Sequence, residues 1–139
     1  MGRWILADSS ALVGLFLEGD EWHRPAVRVI EDLRRERCRM LSTTAVFDEV
    51  VTSIRKWAGY ARAVQAGEIL RRSALVRVVP VDDEAREEGW KRFVKMKCPG
   101  LSLTDCTSFA VMDKYGIPEA FTFDGDFRKA GYATRPAKE

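Results

Sequence analysis

The fold follows from one stretch of sequence, Trp4-Ile5-Leu6-Ala7-Asp8, which continues directly into Ser9-Ser10-Ala11-Leu12. The apolar run predicts a buried strand of a parallel sheet, and the residues after it predict a helix. Open α/β sheets bind their ligands beyond the carboxyl ends of such strands. We therefore interpret Asp8 as the first carboxylate of an active site. The alternative is that Asp8 or Ser9 only caps the following helix.

Length and composition favour a globular protein. The chain has 139 residues, of which 46% are hydrophobic and 32% are charged. This predicts a single domain over residues 1–139 that needs no disulfide or structural metal. The N-terminus does not read as a signal peptide, and no stretch reads as a membrane span. The three cysteines are odd in number and lack C-x-x-C spacing, so we expect a cytoplasmic protein.

Strand-like and helix-like segments alternate along the chain. Further strands are predicted at 39–42, 75–79 and 120–123, with helices or helix pairs between them, and a short edge strand is predicted at 132–134. Thr43 or Thr44 is expected to cap the helix after 39–42. This alternation predicts an α/β fold with a mostly parallel central sheet covered on both faces. The helix after His23 is expected to bury Val27, Ile30 and Leu33. The tail at 135–139 is expected to be loose.

Four further acids occupy positions from which they can reach the end of the first strand. Glu49 lies in the first two turns of the third helix, and Asp105 lies in the first turn of the sixth helix. Asp124 and Asp126 follow the strand at 120–123. Each acid therefore belongs to a strand end, a helix N-terminus or the loop between them, which predicts that the acids meet at one edge of the sheet.

Each acid also has a local interpretation. Ser102-Leu103-Thr104-Asp105 matches a capping box, and Asp124-Gly125 is a common turn pair. Glu49 interrupts an apolar helix face, so it should face a polar cavity or a partner. Asp48 is expected to point to solvent.

Acids gathered at one edge repel one another and need a cation. A helix N-terminus offsets such repulsion by only about 0.3–1 kcal/mol. Hard oxygen ligands without histidine favour Mg²⁺ or Mn²⁺. His23, the only histidine, is expected at a helix start or on the surface. A zinc hydrolase site is therefore not expected.

The order of these motifs resembles the PIN domain family. The motifs are Asp8-Ser9-Ser10 after a strand, a helical Glu49, Leu103-Thr104-Asp105, and Thr122-Phe123-Asp124-Gly125-Asp126-Phe127. The size of the chain is similar to that of VapC toxins of toxin–antitoxin pairs. The resemblance implies a Rossmann-like α/β/α sandwich whose acids bind one or two divalent metals and which cleaves single-stranded regions of RNA. It assigns the four main acids to Asp8, Glu49, Asp105 and Asp124, a variable fifth to Asp126, and supporting hydroxyls to Ser9, Thr104 and Thr122.

The resemblance also implies partners. These are an RNA substrate, a small antitoxin that covers the acids with a basic side chain, and a second copy of the chain in a homodimer. Trp57 and Tyr60 are candidates for the dimer interface. Basic clusters are candidates for the RNA backbone. They are Arg34, Arg35, Arg37 and Arg39; Arg71, Arg72 and Arg77; and Lys91, Arg92, Lys95 and Lys97.

Aromatic residues offer a further route to RNA, because unstacked bases rest on exposed rings. Trp22, Trp57 and Trp90 are candidates, although core or interface packing is the favoured interpretation for each. A receiver-type signalling domain would need an acidic pair before the first strand, where this chain has Gly2-Arg3. The remaining alternative is a non-catalytic module that binds RNA or protein.

Overall fold

Five short strands form the centre of the protein. The computed structural model describes residues 2–137. The strands are β1 (Arg3–Ala7), β2 (Cys38–Thr43), β3 (Val76–Val79), β4 (Glu119–Phe121) and β5 (Ala133–Arg135). They pair in the order β3-β2-β1-β4-β5, and every pair is parallel. The expected mostly parallel sheet is thus entirely parallel in this range, because a helix returns the chain between successive strands.

Seven helices occupy the connections within residues 2–137. They are α1 (Ser9–Phe16), α2 (His23–Arg35), α3 (Thr44–Ala58), α4 (Tyr60–Arg72), α5 (Asp83–Lys95), α6 (Leu103–Tyr115) and α7 (Asp126–Lys129). The hydroxyl of Thr43 accepts a hydrogen bond from the N–H of Val46 and so caps α3 as predicted. Gly116 ends α6 with a φ of 67°, a left-handed conformation that favours glycine. The short α7 is not among the predicted helices.

Alternating residues of β1 pack into two separate hydrophobic cores. Ile5 and Ala7 point to the side covered by α1 to α4, and Leu6 points to the side covered by α5, α6 and α7. From Ile5 to Ala7 both faces of β1 are therefore fully buried, as the continuous apolar sequence predicts. The result is an α/β/α sandwich with β1 at its centre.

The buried face of α2 differs from the prediction. Its core residues are Ala26, Val29 and Leu33, with Ile30 partly buried beside them. Val27 was predicted to face inward but is only half-buried and lies outside this cluster. The face repeats at i, i+3 and i+7, and the small side chain of Ala26 allows α2 to lie close to its neighbours.

Two further predictions need correction near the C-terminus. The strand predicted at 120–123 ends at Phe121. The Thr122 N–H still donates to the Arg135 carbonyl, but the Thr122 hydroxyl and the Phe123 N–H bond to Asp8 and Ser10 at the start of α1. The predicted loose tail begins with Arg135, which is the last residue of β5. The Arg135 guanidinium forms a two-point ion pair with Glu36 at 2.7 Å for each contact. Residues 138–139 lie outside the described range.

Trp22, Trp57 and Trp90 lie outside the core, so of the predicted core or interface packing only the interface interpretation stays open. The exposed fractions are 40% for Trp22, 75% for Trp57 and 51% for Trp90. His23 lies at the start of α2, as predicted, and its Nδ1 lies 3.0 Å from the carbonyl oxygen of Gly14. Among residues 2–137, no helix has the length and apolar character needed to cross a bilayer.

Candidate active site

The candidate site lies where the strand order reverses. The chain runs from β1 to β2 and β3 on one side and then returns to place β4 on the other side of β1. Ala7 and Phe121 are partners in register, and the N–H of Asp8 donates to the carbonyl of Phe121 at 3.0 Å. The segments that follow β1 and β4 therefore leave the sheet side by side, in the position where open α/β sheets bind ligands.

Three carboxylates meet at this edge. One oxygen atom from each of Asp8, Asp105 and Asp124 lies within 4.8 Å of the other two. Asp8 follows β1, Asp105 lies in the first turn of α6, and Asp124 lies between β4 and α7. Asp8 and Asp105 are buried and Asp124 is half-buried. We refer to these three residues as the acid cluster.

The side chain of Asp8 does not cap α1. Asp8 occupies the N-cap position, yet its carboxylate forms no capping hydrogen bond. Instead its Oδ2 accepts from the hydroxyls of Thr122 at 2.7 Å and Ser10 at 3.0 Å. Its Oδ1 is buried and has no hydrogen-bond partner among residues 2–137. A buried carboxylate oxygen without a partner is costly, so this atom is suited to bind a cation.

Two hydroxyls join the ends of β1 and β4. Ser10 accepts from the N–H of Phe123 at 2.9 Å and lies 3.3 Å from the Thr122 hydroxyl. Thr122 in turn accepts from the N–H of Asp124 at 2.9 Å. The Asp124 loop is thus held to Asp8 through side-chain oxygens. Sequence reasoning missed Ser10, and the only local signal was its place two residues after Asp8.

Asp105 combines two roles that the sequence analysis treated as alternatives. Its N–H donates to the Ser102 hydroxyl at 3.0 Å, and its carboxylate accepts from the Ser102 N–H at 3.4 Å, which completes a capping box. The same carboxylate belongs to the acid cluster. The cap therefore fixes the orientation of Asp105 toward Asp8 and Asp124.

Burial and mutual repulsion resist ionisation of the cluster. Burial raises the pKa of Asp8, while the hydroxyls of Thr122 and Ser10 lower it in part. Burial, followed by the charges of Asp8 and Asp124, raises the pKa of Asp105 to about 7. Full ionisation at neutral pH is thus unfavourable unless a positive charge enters the cluster.

The two other acids predicted for the site, Glu49 and Asp126, are not part of the acid cluster. Glu49 is half-buried on α3, and its neighbour Asp48 is exposed as predicted. The buried Asp126 lies 3.6 Å from the ammonium of Lys129, and its N–H donates to Asp124 at 2.9 Å. Asp124 therefore forms the predicted turn and also belongs to the cluster.

The remaining predicted hydroxyls make different contacts. Ser9 begins α1 and forms no side-chain hydrogen bond within residues 2–137. The backbone carbonyl of Thr104 accepts from the hydroxyl of Thr107 at 2.9 Å. Of the three hydroxyls assigned by resemblance, Thr122 is the one in direct contact with a cluster carboxylate.

The donor set fits a hard divalent cation. Two unit charges about 5 Å apart repel by about 3 kcal/mol at an effective dielectric constant of 20, which exceeds what a helix N-terminus offsets. Three carboxylate oxygens and no histidine or thiolate match the preference of Mg²⁺ or Mn²⁺. The unpartnered Oδ1 of Asp8 is available as a ligand atom.

Comparisons with a family model, with related sequences and with solved structures all point to one family. A family model described as PIN domain matches residues 5–132. The 23S rRNA-specific endonuclease VapC20 of Mycobacterium tuberculosis is 35% identical over 128 residues, which cover 92% of this chain and 95% of the relative. The crystal structure of Mycobacterium tuberculosis VapC20, described as a sarcin–ricin loop cleaving toxin, matches with a TM-score of 0.85 and 33% identity, covering 93% of this chain and 96% of that chain.

A more distant structure has the same fold. A chain in a toxin–antitoxin complex from Klebsiella pneumoniae matches with a TM-score of 0.62 at 18% identity and covers 87% of each chain. Three observations agree on one family. The acid cluster lies at the strand-order reversal, the family model matches most of the chain, and the relative covers nearly the whole chain. This chain belongs to the PIN domain family.

Proposed function

We propose that this protein is a metal-dependent endoribonuclease and the toxin of a toxin–antitoxin pair. The observation that carries the proposal is the meeting of Asp8, Asp105 and Asp124 around an unpartnered carboxylate oxygen. The 35% identity to a named 23S rRNA-specific endonuclease supports the choice of RNA as substrate. The all-oxygen donor set supports Mg²⁺ or Mn²⁺ as the cofactor.

The proposed roles follow from position. Asp8, Asp105 and Asp124 hold the cation, and Glu49 either joins them as a ligand or orients the attacking water. A divalent cation in such a site activates water and neutralises charge on phosphoryl oxygens. Asp126 supports the loop that carries Asp124. Thr122 orients Asp8, and Ser9 and Thr104 support the starts of α1 and α6.

The proposed reaction is hydrolysis of a phosphodiester. The water oxygen forms a bond to phosphorus while the bond from phosphorus to one ribose oxygen breaks. The water loses a proton to a nearby base, for which Glu49 is our candidate, and the leaving ribose oxygen gains one. No covalent intermediate with the enzyme is required, and no side chain of the cluster is a nucleophile.

For the substrate we propose 23S ribosomal RNA, which implies action in the cytoplasm. Basic side chains are available to hold its backbone. Arg39, Arg71 and Arg77 line a groove of about 510 Å³ beside β3. Arg92 is less available, because it bonds to Asp113 and to the Tyr132 hydroxyl. Salt should therefore weaken RNA binding.

The test is cleavage of purified ribosomal RNA by the wild-type protein with Mg²⁺, with Mn²⁺ and with a chelator. Asp8→Asn should abolish metal-dependent cleavage, and Glu49→Gln should reduce it by at least tenfold. Asp48→Asn is the matched control, because Asp48 neighbours Glu49 on α3 but is exposed. The control should cleave like the wild type.

The alternative is a non-catalytic PIN-fold module that binds RNA or protein. It predicts that folded wild-type protein leaves RNA intact with either metal and that Asp8→Asn binds RNA as the wild type does. Cleavage that survives Asp8→Asn would also contradict the proposal, because the activity would then come from elsewhere or from a contaminant. Primer extension on 23S rRNA distinguishes a single cut from general degradation.

We further propose a small antitoxin as a partner. The description of the Klebsiella pneumoniae structure as a toxin–antitoxin complex supports this at the level of the fold. A basic side chain from such a partner would fit the acid cluster by charge. Co-expression with a small protein encoded beside this chain should give a stable complex in which cleavage is suppressed.

We also propose a homodimer formed through α3 and α4. Trp57 and Tyr60 are strongly exposed at the junction of these helices, and Val64 adds apolar surface. Exposed aromatic residues of this kind are enriched at interfaces. Sedimentation should give a dimer for the wild type and a monomer for Trp57→Glu.

A further inference from the structure

A pair of stacked aromatic rings borders the acid cluster. The rings of Trp22 and Phe123 lie 4.8 Å apart with an interplanar angle of 11°. Phe123 is half-buried and contacts Phe121 edge to face at 6.3 Å. Trp22 covers Phe123 but remains 40% exposed itself. The pair therefore leaves part of the Trp22 side chain open to solvent.

The backbone of Trp22 is held in place from two directions. Its N–H donates to the Asp20 carboxylate at 2.8 Å. Gly14 of α1 lies beneath it, where a side-chain Cβ would approach the Trp22 Cβ to 3.1 Å. The absence of a side chain at Gly14 permits this close contact. The position of the indole is thus set by the fold before any ligand arrives.

Phe123 connects this aromatic surface to the acid cluster. Its N–H donates to the same Ser10 hydroxyl that donates to Asp8. The next residue in the chain is the cluster member Asp124. The aromatic pair is therefore linked to the acid cluster both through Ser10 and through the chain from Phe123 to Asp124.

We propose that Trp22 is a binding subsite for one unpaired nucleobase next to the cleaved phosphate. This inference rests on the proposed function and adds a recognition element to it. Stacking of a base on an aromatic side chain contributes about 1–3 kcal/mol and tolerates any base. The subsite depends on stacking and not on charge, because the segment before Trp22 carries Glu18, Asp20 and Glu21. The subsite selects an unstacked base rather than a particular sequence.

The other exposed tryptophans have different surroundings. Trp90 stacks on Phe93 within α5 at 5.6 Å. Trp57 lines a groove with Leu17 and with Asp20, whose carboxylate holds the Trp22 N–H, and it belongs to the proposed dimer interface. Tyr115→Ala is therefore the control, because it removes an exposed aromatic ring at the C-terminal end of α6, the end opposite Asp105.

The experiment measures cleavage of short single-stranded RNAs, each with one abasic nucleotide at a defined distance from the cut. Trp22→Ala should raise KM by about 5- to 100-fold on intact RNA with little change in kcat, which corresponds to the stacking energy. Trp22→Phe should retain most of the affinity. At one position the abasic substitution should raise the KM of the wild type by a similar factor and leave the KM of Trp22→Ala unchanged. Tyr115→Ala should respond to every RNA as the wild type does.

A purely structural role predicts a different pattern. At each position, the KM of Trp22→Ala on the abasic RNA is compared with the product of the two separate KM factors. If it equals that product at every position, the two changes act independently, so the base does not stack on Trp22 and the proposal fails. A loss of kcat together with a lower Tm in both Trp22 variants would also overturn it. Should the wild type cleave none of the RNAs, the proposed function fails. The affinities of wild type and Trp22→Ala for the same RNAs, measured without metal, then test the subsite separately. Equal affinities reject the subsite.

Discussion

The two oxygens of the Asp8 carboxylate have opposite environments. Oδ2 accepts two hydroxyl hydrogen bonds, whereas Oδ1 is buried without a partner among the described residues. The hydroxyls stabilise the charge, and burial together with the charge of Asp124 opposes it. Such an arrangement is unfavourable for the metal-free protein and suits a bound cation. The arrangement lowers the stability of the metal-free protein and leaves Oδ1 available to bind a cation.

Asp8→Asn should therefore stabilise the metal-free protein while it removes activity. The neutral amide relieves repulsion with Asp105 and Asp124, so the free energy of unfolding should rise by about 1–3 kcal/mol in the presence of a chelator. Urea unfolding measures the difference. Asp48→Asn should stay within about 0.5 kcal/mol of the wild type, since Asp48 is exposed. A less stable Asp8→Asn protein would show that the hydrogen bonds of the carboxylate outweigh its repulsion with the other acids.

Local chemistry reveals some site residues and not others. Asp8, Asp105 and Asp124 were predicted because each carboxylate follows a strand or begins a helix. Ser10 was not, because its contact with Thr122 joins residues 112 positions apart. Nothing in the neighbourhood of Ser10 indicates that pairing.

At the scale of elements, α5 and α6 approach each other closely at Gly89. A Cβ added there would lie 2.7 Å from Thr107 Cγ2 and 3.0 Å from the Thr107 backbone N and Cα. A shift of the α6 backbone away from Gly89 would be costly, because the N-terminus of α6 holds Asp105 in the acid cluster. Gly89 is thus required by packing rather than by backbone conformation.

Gly89→Ala should lower the free energy of unfolding. Overpacking costs about 1–3 kcal/mol and the better helix propensity of alanine returns up to about 1 kcal/mol, so the net loss should be about 1–2 kcal/mol. Gly67→Ala in α4 is the control, because its nearest contact is the movable Val51 Cγ1 at 3.3 Å. Urea unfolding should find Gly67→Ala near the wild type. Equal losses in both variants would contradict this account.

An ion pair joins the end of α2 to β5 and gives a pH dependence. Hydrogen bonds from Arg135 lower the pKa of Glu36 below its ordinary value. The pair therefore contributes its full stability above the pKa that Glu36 has in the unfolded chain. This contribution is lost as the pH falls through the lower pKa of the folded state.

Glu36→Gln should therefore be less stable than the wild type at pH 7. The difference should shrink steadily from pH 5 to pH 2, where the wild-type carboxylate also becomes neutral. Because the pair is partly exposed to solvent, added salt should reduce the difference as well. Thermal melts across this pH range test the expectation, and a constant difference at all pH values would refute it.

At the scale of the whole molecule, the acid cluster joins parts of the chain that are far apart in sequence. Asp8 comes from β1, Asp105 from α6 and Asp124 from the segment after β4. A cation that binds all three binds only the folded state, since the unfolded chain does not hold these carboxylates together. Binding is therefore coupled to global stability.

Mn²⁺ or Mg²⁺ should raise the Tm of the wild-type protein. At a metal concentration 100 times Kd, the gain is about 2.7 kcal/mol, which corresponds to roughly 10 °C for a chain of this size. Asp8→Asn should lose most of this shift, and Asp48→Asn should retain it. Differential scanning calorimetry with and without chelator gives the comparison. An equal shift in Asp8→Asn would place the metal elsewhere.

Sequence alone was enough to predict the α/β class, most helix and strand positions, the caps at Thr43 and Ser102, and the acids gathered at one sheet edge. These features depend on apolar periodicity and on hydrogen bonds within a few residues. Only the folded chain reveals that, among the described residues, Asp8, Asp105 and Asp124 form one group that does not include Glu49 or Asp126. The same holds for the buried face of α2 and for the stacking of Trp22 on Phe123. Those outcomes depend on packing between elements distant in the chain, which no local pattern encodes.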